Sequence, residues 1–392
     1  MIAKKKLIEI RGTGFINKGA ELMLHSIIER VRSELPHAEF AMSPSIDISR
    51  PFLKRARLGL YQKPYIVKYG IHFSRLLNII PERLRHMFGI VTEKEVDVIL
   101  DASGFSYSDQ WGNKSCKELE ILCRRTKKIN TKFILLPQAF GPFKNFTNRN
   151  SFSLILRDAD LIFARDKTSY KHLIDISPTA SNIKIAGDFT NIVNGVLPVG
   201  FNSAENRFAV IPNYRMIDKT DLSVSSKYVS FLAQIIKYTQ DHGMKPFLLI
   251  HEGANDLKIA KIIKKSVSNS IEIVVEDDPL KIKGILSTVD GVFSSRFHGL
   301  VSALSQGKIA IGTGWSHKYQ CLFEDYQFLE GMFDVSMQKD DLIQKMDSIF
   351  QENNMADATN RISRNANRLK VETNEMWAEV FSLIGSETNK ID

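Results

Sequence analysis

The chain repeats one local pattern along most of its length. A short apolar run is followed by a turn of small or polar residues and then by a stretch with helical spacing. The first example is the run Leu7–Arg11, its glycine-rich turn up to Gly19, and a helical stretch from about Ala20 to Leu35. Short apolar runs that alternate with amphipathic helices are typical of a parallel sheet covered by helices on both faces. The pattern therefore predicts an α/β fold.

The pattern forms two series that are separated by a linker. In the first series, further strands are predicted at residues 40–42, 96–100, 132–136, 161–164 and 183–186. In the second series, strands are predicted at residues 207–211, 246–250, 271–275, 291–293 and 308–311. Residues 194–207 between them are rich in Gly, Pro, Asn and Ser, a composition typical of a linker. We therefore predict two doubly wound, Rossmann-like domains that face each other across a cleft.

The linker and the tail suggest the domain boundaries. We predict an N-terminal domain over residues 1–195 and a C-terminal domain over residues 206–358. Apolar residues recur at helical spacing from Ile362 to Ile384, which predicts a terminal helix over residues 359–385 that crosses back over the domain junction.

Composition excludes several classes of protein. Of the 392 residues, 43% are hydrophobic and 25% are charged, and no apolar run reaches the roughly 20 residues that a membrane-spanning helix needs. The basic N-terminus meets Glu9 too early for a signal peptide. Cys116, Cys123 and Cys321 have no metal-ligand spacing, which favours free thiols in a reducing cytoplasm. We therefore expect a cytoplasmic protein without a bound metal.

The net charge of +9 is unevenly distributed. Between Arg50 and Thr92, nine lysines and arginines and several aromatic residues accompany a single acid, Glu82. One interpretation is a solvated excursion beside a pocket, because runs of charge are usually surface. The other is a surface that meets a membrane-borne acceptor on an anionic, inner membrane face. No nucleic-acid-binding motif occurs, so a nucleic-acid partner is not expected.

The segment from Gly291 to Leu300, GVFSSRFHGL, carries the clearest chemistry. If the strand continues to His298, that residue and Arg296 point to the same face at the strand's carboxyl end, where open α/β sheets bind ligands. Arginine suits phosphate or carboxylate, histidine can transfer a proton near neutral pH, and Gly299 allows close backbone approach. The pattern predicts an anion site with a proton donor. The alternative is a structural histidine beside a surface arginine.

Polar residues also follow two other predicted strands of the second series. Arg215 follows the first strand, so that two arginines could converge on one anion. The segment from His251 to Asp256 contains a histidine and two carboxylates, which suit a metal. We favour a helix N-cap by Asn255 or Asp256, with a polar contact from His251.

Two further turns fit a sugar or a phosphate. The first turn, from Gly12 to Gly19, lacks the third glycine of the dinucleotide motif and the lysine–hydroxyl pair of nucleotide-binding loops. Its amides and the following helix N-terminus could still bind a sugar or phosphate. After the last strand, Trp315 and Tyr319 are either core aromatics or walls on which a sugar stacks.

Several elements in a fixed order resemble the polysaccharide pyruvyl transferase family. These elements are the GxGxxNKGAE turn at 12–21, DxSG at 101–104, QxxGP at 138–142, ARDxxS at 164–169, Gly187-Asp188, SRFH at 295–298 and the segment 315–318. Members of that family look like glycosyltransferase-B-type proteins with two Rossmann-like domains. They transfer the enolpyruvyl unit of phosphoenolpyruvate to two hydroxyls of one sugar, which forms a cyclic pyruvate ketal and releases phosphate.

The resemblance implies roles for particular residues. His298 corresponds to the general acid, and the phosphoenolpyruvate side, in the C-terminal domain, comprises Arg296, Arg215, Ser295, Phe297 and Gly299. The acceptor or cleft residues are Gly14, Asn17, Lys18, Gly104, Gln138, Asp188, His251, Trp315 and Lys318, with the acceptor side in the N-terminal domain. Phosphoenolpyruvate is then a co-substrate and no further cofactor or metal is expected. The partner is a glycan or a lipid-linked oligosaccharide.

The chain departs from the family pattern at two places. Phe189 stands where a proline is common, and the loop that carries Arg215 is longer and more polar than usual. Two other functions remain open. One is a glycosyltransferase that uses a nucleotide sugar, in which Arg296 would hold a diphosphate and His298 would act as a base. The other is a non-catalytic protein that binds a sugar or an anion.

Overall fold

The structure is a computed structural model that describes residues 5–44, 50–65, 67–68, 71–267 and 270–385, without the side chains of 67, 68, 71–73 and 75. The chain divides into two compact units. The first contains the residues up to Ile16, Met23–Phe189 and the residues from Glu372 onwards. The second contains Asn17–Leu22 and Thr190–Val371.

The first unit is built on a parallel sheet of seven strands. Its strands are β1 (Leu7–Arg11), β2 (Glu39–Met42), β3 (Leu60–Gln62), β6 (Val98–Asp101), β7 (Lys132–Gln138), β8 (Leu161–Ala164) and β9 (Ile183–Ile185), and β4 (Val67–Lys68) and β5 (Ile71–His72) form a separate antiparallel pair. The strand order is β3-β2-β1-β6-β7-β8-β9. Its helices are α1 (Lys18–Glu34), α2 (Phe52–Arg57), α3 (Glu82–Met87), α4 (Lys114–Lys127), α5 (Phe146–Asp158) and α6 (Lys167–Ile174). The first turn of α1 belongs to the second unit.

The second unit is built on a parallel sheet of five strands. These strands are β10 (Phe208–Ile211), β11 (Pro246–Ile250), β12 (Ile273–Val275), β13 (Gly291–Ser294) and β14 (Ile309–Gly312), in the order β12-β11-β10-β13-β14. Its helices are α7 (Arg215–Asp218), α8 (Leu222–Ser225), α9 (Tyr228–Asp241), α10 (Gly253–Val267), α11 (Pro279–Thr288), α12 (Phe297–Leu304), α13 (His317–Asp325), α14 (Lys339–Phe350) and the first part of α15 (Glu352–Gly385). The chain order of the strands reverses between β10 and β13. In sheets of this kind the reversal point is where ligands bind.

The predicted fold class is confirmed by these two parallel sheets. The strands β10, β13 and β14 are buried at every residue, because helices cover both of their faces. Their side chains form one continuous apolar core with α9, α11 and α12. That is why each appears in the sequence as an uninterrupted apolar run rather than an alternating one. The terminal helix α15 begins at Glu352, and its last residues, from Glu372, belong to the first unit.

The basic stretch from Arg50 to Thr92 differs from the prediction. It contains β3, which pairs in parallel with β2, and the two short helices α2 and α3. Three of its cations, Arg55, Lys63 and Arg85, are buried rather than solvated. Lys63 forms an ion pair with the fully buried Glu9. Tyr69 and the side chains of Lys68, Phe73 and Arg75 lie outside the described residues.

Two smaller findings concern membranes and thiols. Among the described residues, no helix combines the length and the apolar composition needed to cross a bilayer. Cys116 and Cys123 are buried, and burial raises the pKa of each thiol to about 12. Both thiols are therefore protonated at neutral pH and unsuited to nucleophilic attack.

Candidate functional site

The candidate site of the second unit lies where β13 turns into α12. Ser294 ends the strand, because its hydroxyl accepts a hydrogen bond from the Arg296 backbone N–H at 3.0 Å and donates one to the Arg296 carbonyl at 2.9 Å. Helix α12 begins at Phe297, so that His298 is its second residue. The expectation that the strand continues to His298 is therefore wrong, and Arg296 and His298 do not share a strand face.

The loop between β13 and α12 is held rigidly by buried hydrogen bonds. The Ser295 hydroxyl accepts from the Tyr228 hydroxyl at 2.8 Å. Its carbonyl accepts from the Asn213 side-chain amide at 2.7 Å and from the Tyr319 hydroxyl at 3.0 Å. Ser295 is fully buried, and burial raises the pKa of Tyr228. Ser295 therefore fixes the backbone that carries Arg296.

Arg296 is buried among carboxylates, with 8% of its surface exposed. Its Nε and Nη2 donate to the two carboxylate oxygens of Asp256, at 2.9 and 2.7 Å. Its Nη1 donates to the Glu252 carboxylate. One guanidinium thus serves two acids, and the cluster carries a formal charge of −1. Of the three guanidinium nitrogens, Nη1 is the one that donates to Glu252 and not to Asp256.

The pKa values in this cluster follow from burial and from the mutual attraction of the charges. Burial alone would lower the pKa of Arg296, but the negative charges of Asp256 and Glu252 outweigh it and raise the pKa. Burial raises the pKa of Glu252, against the opposing effect of Arg296, and the nearby charge of Asp256 raises it further. Burial likewise raises the pKa of Asp256, against the opposing effect of Arg296. Arg296 therefore stays charged, and both acids protonate above their usual range.

Cationic and amide groups from three segments meet at Glu252. Besides Arg296, the Asn17 side-chain amide donates to the Glu252 carboxylate at 3.1 Å. The charge of Arg215 also acts on Glu252 and lowers its pKa, although the Arg215 guanidinium is half-exposed and pairs with Asp218 at 2.6 Å. Glu252 directly precedes α10, where the helix dipole favours a negative charge. The Glu252 carboxylate therefore accepts from Arg296 and Asn17, whereas Arg215 acts on it only through its charge.

The segments around Glu252 begin differently from the prediction. Helix α10 starts at Gly253, so that Asn255 and Asp256 lie in its first turn and the expectation that either residue caps it is wrong. Asp256 instead accepts from the Tyr214 backbone N–H at 2.9 Å and from Arg296. Asn17 caps α1, because its side-chain oxygen accepts from the backbone N–H of Gly19 at 2.9 Å.

His298 lies against the first turn of α1. A Cβ atom added to Gly19 would stand 2.1 Å from the His298 Nδ1, so that only glycine allows this approach. His251 is buried, and burial lowers its pKa well below the usual range, with a further lowering by the charges of Arg296, His298 and Lys18. His251 is therefore neutral at physiological pH.

Lys18 and Gly299 contact neighbouring residues of the protein itself. The Lys18 ammonium is buried and pairs with Glu21 at 3.0 Å. Gly299 packs on the sheet, where an added Cβ would stand 2.6 Å from the Ser294 hydroxyl and 3.1 Å from Ile211. The close backbone approach at Gly299 is thus to the protein's own strand.

Aromatic rings surround Lys318. Its ammonium stands 5.1 Å from the ring centres of Phe297 and Trp315 and 5.6 Å from that of Tyr319. Tyr319 is fully buried in the core, whereas Trp315 is only partly buried and lines a pocket of about 440 Å³. Of the two predicted roles, Tyr319 is a core residue, and Trp315 packs against the core beside an open pocket.

The predicted residues of the first unit centre on Asp101, at the end of β6. The Gln138 side-chain amide donates to an Asp101 carboxylate oxygen at 3.3 Å, and the Tyr107 hydroxyl donates to the other at 3.0 Å. Gly104 lies in the turn after β6, and its carbonyl accepts from the Ala139 N–H at 2.9 Å. Gly14 lies partly buried in the turn between β1 and α1. This unit therefore brings Gln138 and Gly104 together.

Two further groups are Asp188 and a surface cluster of Glu82, His86 and Glu95. Asp188 is buried and pairs with Arg165 at 3.4 Å. Within the described ranges, Glu82, His86 and Glu95 have ligand atoms within 4.8 Å of one another, which is a spacing that a metal could bridge. Glu95 already accepts hydrogen bonds from Thr92 and Arg85. A metal there would compete with a guanidinium.

The sequence analysis missed Glu252, Asp256, Asn213 and Asp101 as members of these sites. Each stands just after a strand or in the first turn of the next helix, as the predicted residues do. Position at a strand end was therefore the available signal. The pairing was not readable, because the Arg296–Asp256 contact joins residues 40 positions apart.

The comparisons with known proteins agree with this architecture. The family model for polysaccharide pyruvyl transferase matches residues 17–317, whereas no curated protein matches the chain. The fold is similar to that of Staphylococcus aureus MnaA in a co-structure with UDP, with a TM-score of 0.58, 12% identity and 99% of each chain covered.

Two other solved structures are similar. Neisseria meningitidis UDP-GlcNAc 2-epimerase bound to UDP-GlcNAc has a TM-score of 0.58 and 10% identity, over 96% of this chain and 100% of that one. Anabaena HepE in complex with UDP and glucose has a TM-score of 0.57 and 13% identity, over 96% and 99%. These likenesses show a glycosyltransferase-B-like fold of two Rossmann-like domains.

Proposed function

Because the chain belongs to the polysaccharide pyruvyl transferase family, we propose that it transfers the enolpyruvyl unit of phosphoenolpyruvate to two hydroxyls of one sugar. The sugar is part of a polysaccharide or of its precursor, and the products are a cyclic pyruvate ketal and phosphate. The observation that supports this proposal is the carboxylate of Glu252, held by Arg296 and Asn17 at the start of α10. Such a position suits an anionic substrate group.

The donor binds by replacing Glu252 at Arg296. The Nε and Nη2 edge of Arg296 stays with Asp256, which holds the guanidinium in place. Its Nη1, the amide of Asn17 and the half-exposed Arg215 then face the incoming phosphate or carboxylate. Because Asp256 keeps Arg296 oriented, only the Glu252 side chain has to move.

His298 supplies the proton in the chemical step. Its imidazolium protonates the methylene carbon of phosphoenolpyruvate, which makes the neighbouring carbon electrophilic and turns the methylene into a methyl group. One sugar hydroxyl attacks that carbon and loses its proton, which returns to His298. The second hydroxyl then displaces phosphate, forming the second C–O bond, and its proton leaves with the phosphate. No oxidant or reductant is needed.

The remaining predicted residues have supporting roles in this proposal. Ser295, Phe297 and Gly299 fix the turn that carries Arg296 and His298. The acceptor contacts Trp315 and Lys318 beside the 440 Å³ pocket. Neither a metal nor a further cofactor takes part, and phosphoenolpyruvate is the co-substrate.

We propose that the acceptor is a glycan or a lipid-linked oligosaccharide, and that the protein acts in the cytoplasm at the inner membrane face. A nucleic-acid partner is not part of this proposal. The basic stretch from Arg50 to Thr92 supports a membrane contact through its exposed residues only, since Arg55, Lys63 and Arg85 are buried.

The test is a donor comparison with the full chain. Purified protein is incubated with a panel of saccharides and either phosphoenolpyruvate or UDP-sugars, and phosphate release, UDP release and acceptor mass are measured. We expect phosphate release together with an acceptor that gains a pyruvate ketal. His298→Ala should bind phosphoenolpyruvate normally and show no transfer. Release of UDP with sugar transfer would instead establish a glycosyltransferase, and binding without turnover of either donor would establish a binding protein.

A further inference from the structure

Helix α3 turns Arg85 and His86 towards the protein, whereas Glu82 and Arg83 of the same helix are exposed. Arg85 is buried and donates to the Ile80 carbonyl at 3.1 Å, and the His86 Nε2 stands 2.7 Å from a Glu95 oxygen. The His86 ring also lies 5.4 Å from that of Tyr61. Surface helices in water usually turn their charged residues outwards and their apolar residues inwards.

Apolar residues are exposed on this helix and directly beyond its ends. Leu84 and Met87 lie three residues apart on one side of α3, Ile80 and Phe88 lie just outside its two ends, and we call these four exposed residues the α3 apolar face. Met87 is 80% exposed and Phe88 is 69% exposed. Ile79, directly before this segment, is 79% exposed. Single exposed apolar residues are common, but a cluster of this kind marks an interaction surface.

The charges of the stretch from Arg50 to Thr92 favour an anionic partner. Arg83 is exposed on α3, and Arg57 is exposed on α2 of the same stretch, which also exposes Phe52 and Leu53. Glu82 is the single acid between Arg50 and Thr92. A second copy of the chain would bring arginine against arginine, whereas an anionic lipid surface is complementary to both the apolar and the cationic residues.

We propose that the α3 apolar face inserts into the interfacial region of an anionic lipid bilayer. Phe88, Met87 and Leu84 enter the boundary between headgroups and acyl chains, and Arg83 contacts anionic headgroups. Attachment therefore depends mainly on apolar insertion and only partly on charge, because three cations of the same stretch, Arg55, Lys63 and Arg85, are buried. The proposal does not rest on the pyruvyl transfer reaction.

The experiment measures co-sedimentation of the full chain with vesicles, without phosphoenolpyruvate or acceptor. One set of vesicles contains phosphatidylcholine alone, and the other also contains phosphatidylglycerol. The test variant is the double substitution Met87→Ser, Phe88→Ser. The matched control is Phe146→Ser, which removes an 82% exposed phenylalanine at the first residue of α5 in the same unit. Thermal unfolding of each variant checks that the fold is kept.

We expect the wild type and Phe146→Ser to bind the phosphatidylglycerol vesicles equally. The double variant should bind at least about tenfold more weakly, because each large apolar side chain contributes a factor of that order when it is buried. At about 1 M salt, where screening acts over roughly 3 Å, wild-type binding should weaken but persist.

Four results would overturn the proposal. The first is no sedimentation of the wild type with either vesicle. The second is wild-type affinity in the double variant. The third is binding that salt abolishes completely, which would leave only surface electrostatics. The fourth is a wild-type dimer that the double variant converts to a monomer in light scattering, without vesicle binding, which would assign the face to a second copy of the chain.

Discussion

The proposed exchange of Glu252 for substrate makes a specific prediction for Glu252→Gln. The amide has nearly the same shape, and its oxygen can still accept from Asn17 and from the Arg296 Nη1. The substitution removes one of the two negative charges on Arg296, whereas the contacts of Arg296 with Asp256 remain. We therefore expect the variant to fold normally and to bind phosphoenolpyruvate more tightly.

The magnitude follows from the interaction that the substrate must replace. A hydrogen bond to a charged group contributes about 1.5–3 kcal/mol; the wild-type pair of two charged groups lies towards the upper end of this range, and an amide on the charged guanidinium lies towards the lower end. The internal competitor at Arg296 is thus weakened by about 1–1.5 kcal/mol, which corresponds to roughly tenfold tighter binding. Solvent screening is limited here, because only 18% of the Glu252 side chain is exposed.

Isothermal titration of phosphoenolpyruvate without acceptor measures the effect. The control is Glu330→Gln, which neutralises an exposed glutamate that pairs with Arg361 in the same unit, and it should leave affinity unchanged. The pKa of Glu252 is raised above 4.5, mainly by burial. Wild-type affinity should therefore increase relative to that of Glu252→Gln as the pH falls towards this pKa, because protonated Glu252 no longer competes. The titration of the substrate phosphate is common to both proteins.

Two outcomes would refute this reasoning. Weaker binding by Glu252→Gln would show that the carboxylate helps to hold the substrate instead of competing with it. Equal affinity with the same pH dependence in both proteins would show that the donor does not use the Glu252 position.

Three further predictions test the surroundings of the site. Gly19→Ala should lower turnover by about 100-fold, because the added Cβ would stand 2.1 Å from the His298 Nδ1 and displace the ring. The control is Gly385→Ala, where the added Cβ would stand in open space, and unchanged turnover in Gly19→Ala would contradict the assignment of His298. Arg296→Ala should lower the free energy of unfolding in urea by about 3–5 kcal/mol, since two buried carboxylates lose their cation; a loss below about 1 kcal/mol would show that they are solvated. The pKa of His251 lies well below 6.5 because of burial. The unfolded chain therefore binds a proton at His251 first as the pH is lowered, and the stability of the fold decreases as the pH falls below about 6.5. His251→Gln should remove a slope of up to about 1.4 kcal/mol per pH unit, and identical urea stability profiles of the two proteins would contradict this.

The strands whose bounds could be predicted from the sequence are those that are buried on both faces. Strands β8 and β11 were predicted at their observed bounds, because a parallel strand buried on both faces must be apolar throughout and must end at a polar turn. Strand β3 was missed because it has only three residues and lies among lysines and arginines whose burial the sequence does not reveal. Lys63 illustrates this, since its partner Glu9 is 54 positions away.

In the candidate site too, the positions of the residues at a strand end were predicted, whereas their contact partners were not. Arg296 and His298 were placed at a strand end, and the order of the strands puts that end at the reversal point of the second sheet. Their immediate partners depended on where the chain turns. The strand ends at Ser294, four residues before His298, which places His298 on a helix against Gly19. Hydrogen bonds of one hydroxyl therefore determined the orientation of the predicted general acid.

The arrangement of Arg296 also restricts how a substrate anion can bind. A free guanidinium can offer two parallel donors to a carboxylate or phosphate, but here the paired edge of Nε and Nη2 is already used by Asp256. An incoming anion can therefore meet only Nη1 and must complete its binding with neighbours such as Asn17 and Arg215. Because Asp256 neutralises Arg296 and Asp218 pairs with Arg215, the long-range attraction for the anion comes from the start of α10. Selectivity for the donor then depends on Asn17 and Arg215 as much as on Arg296, whose main contribution is a fixed direction.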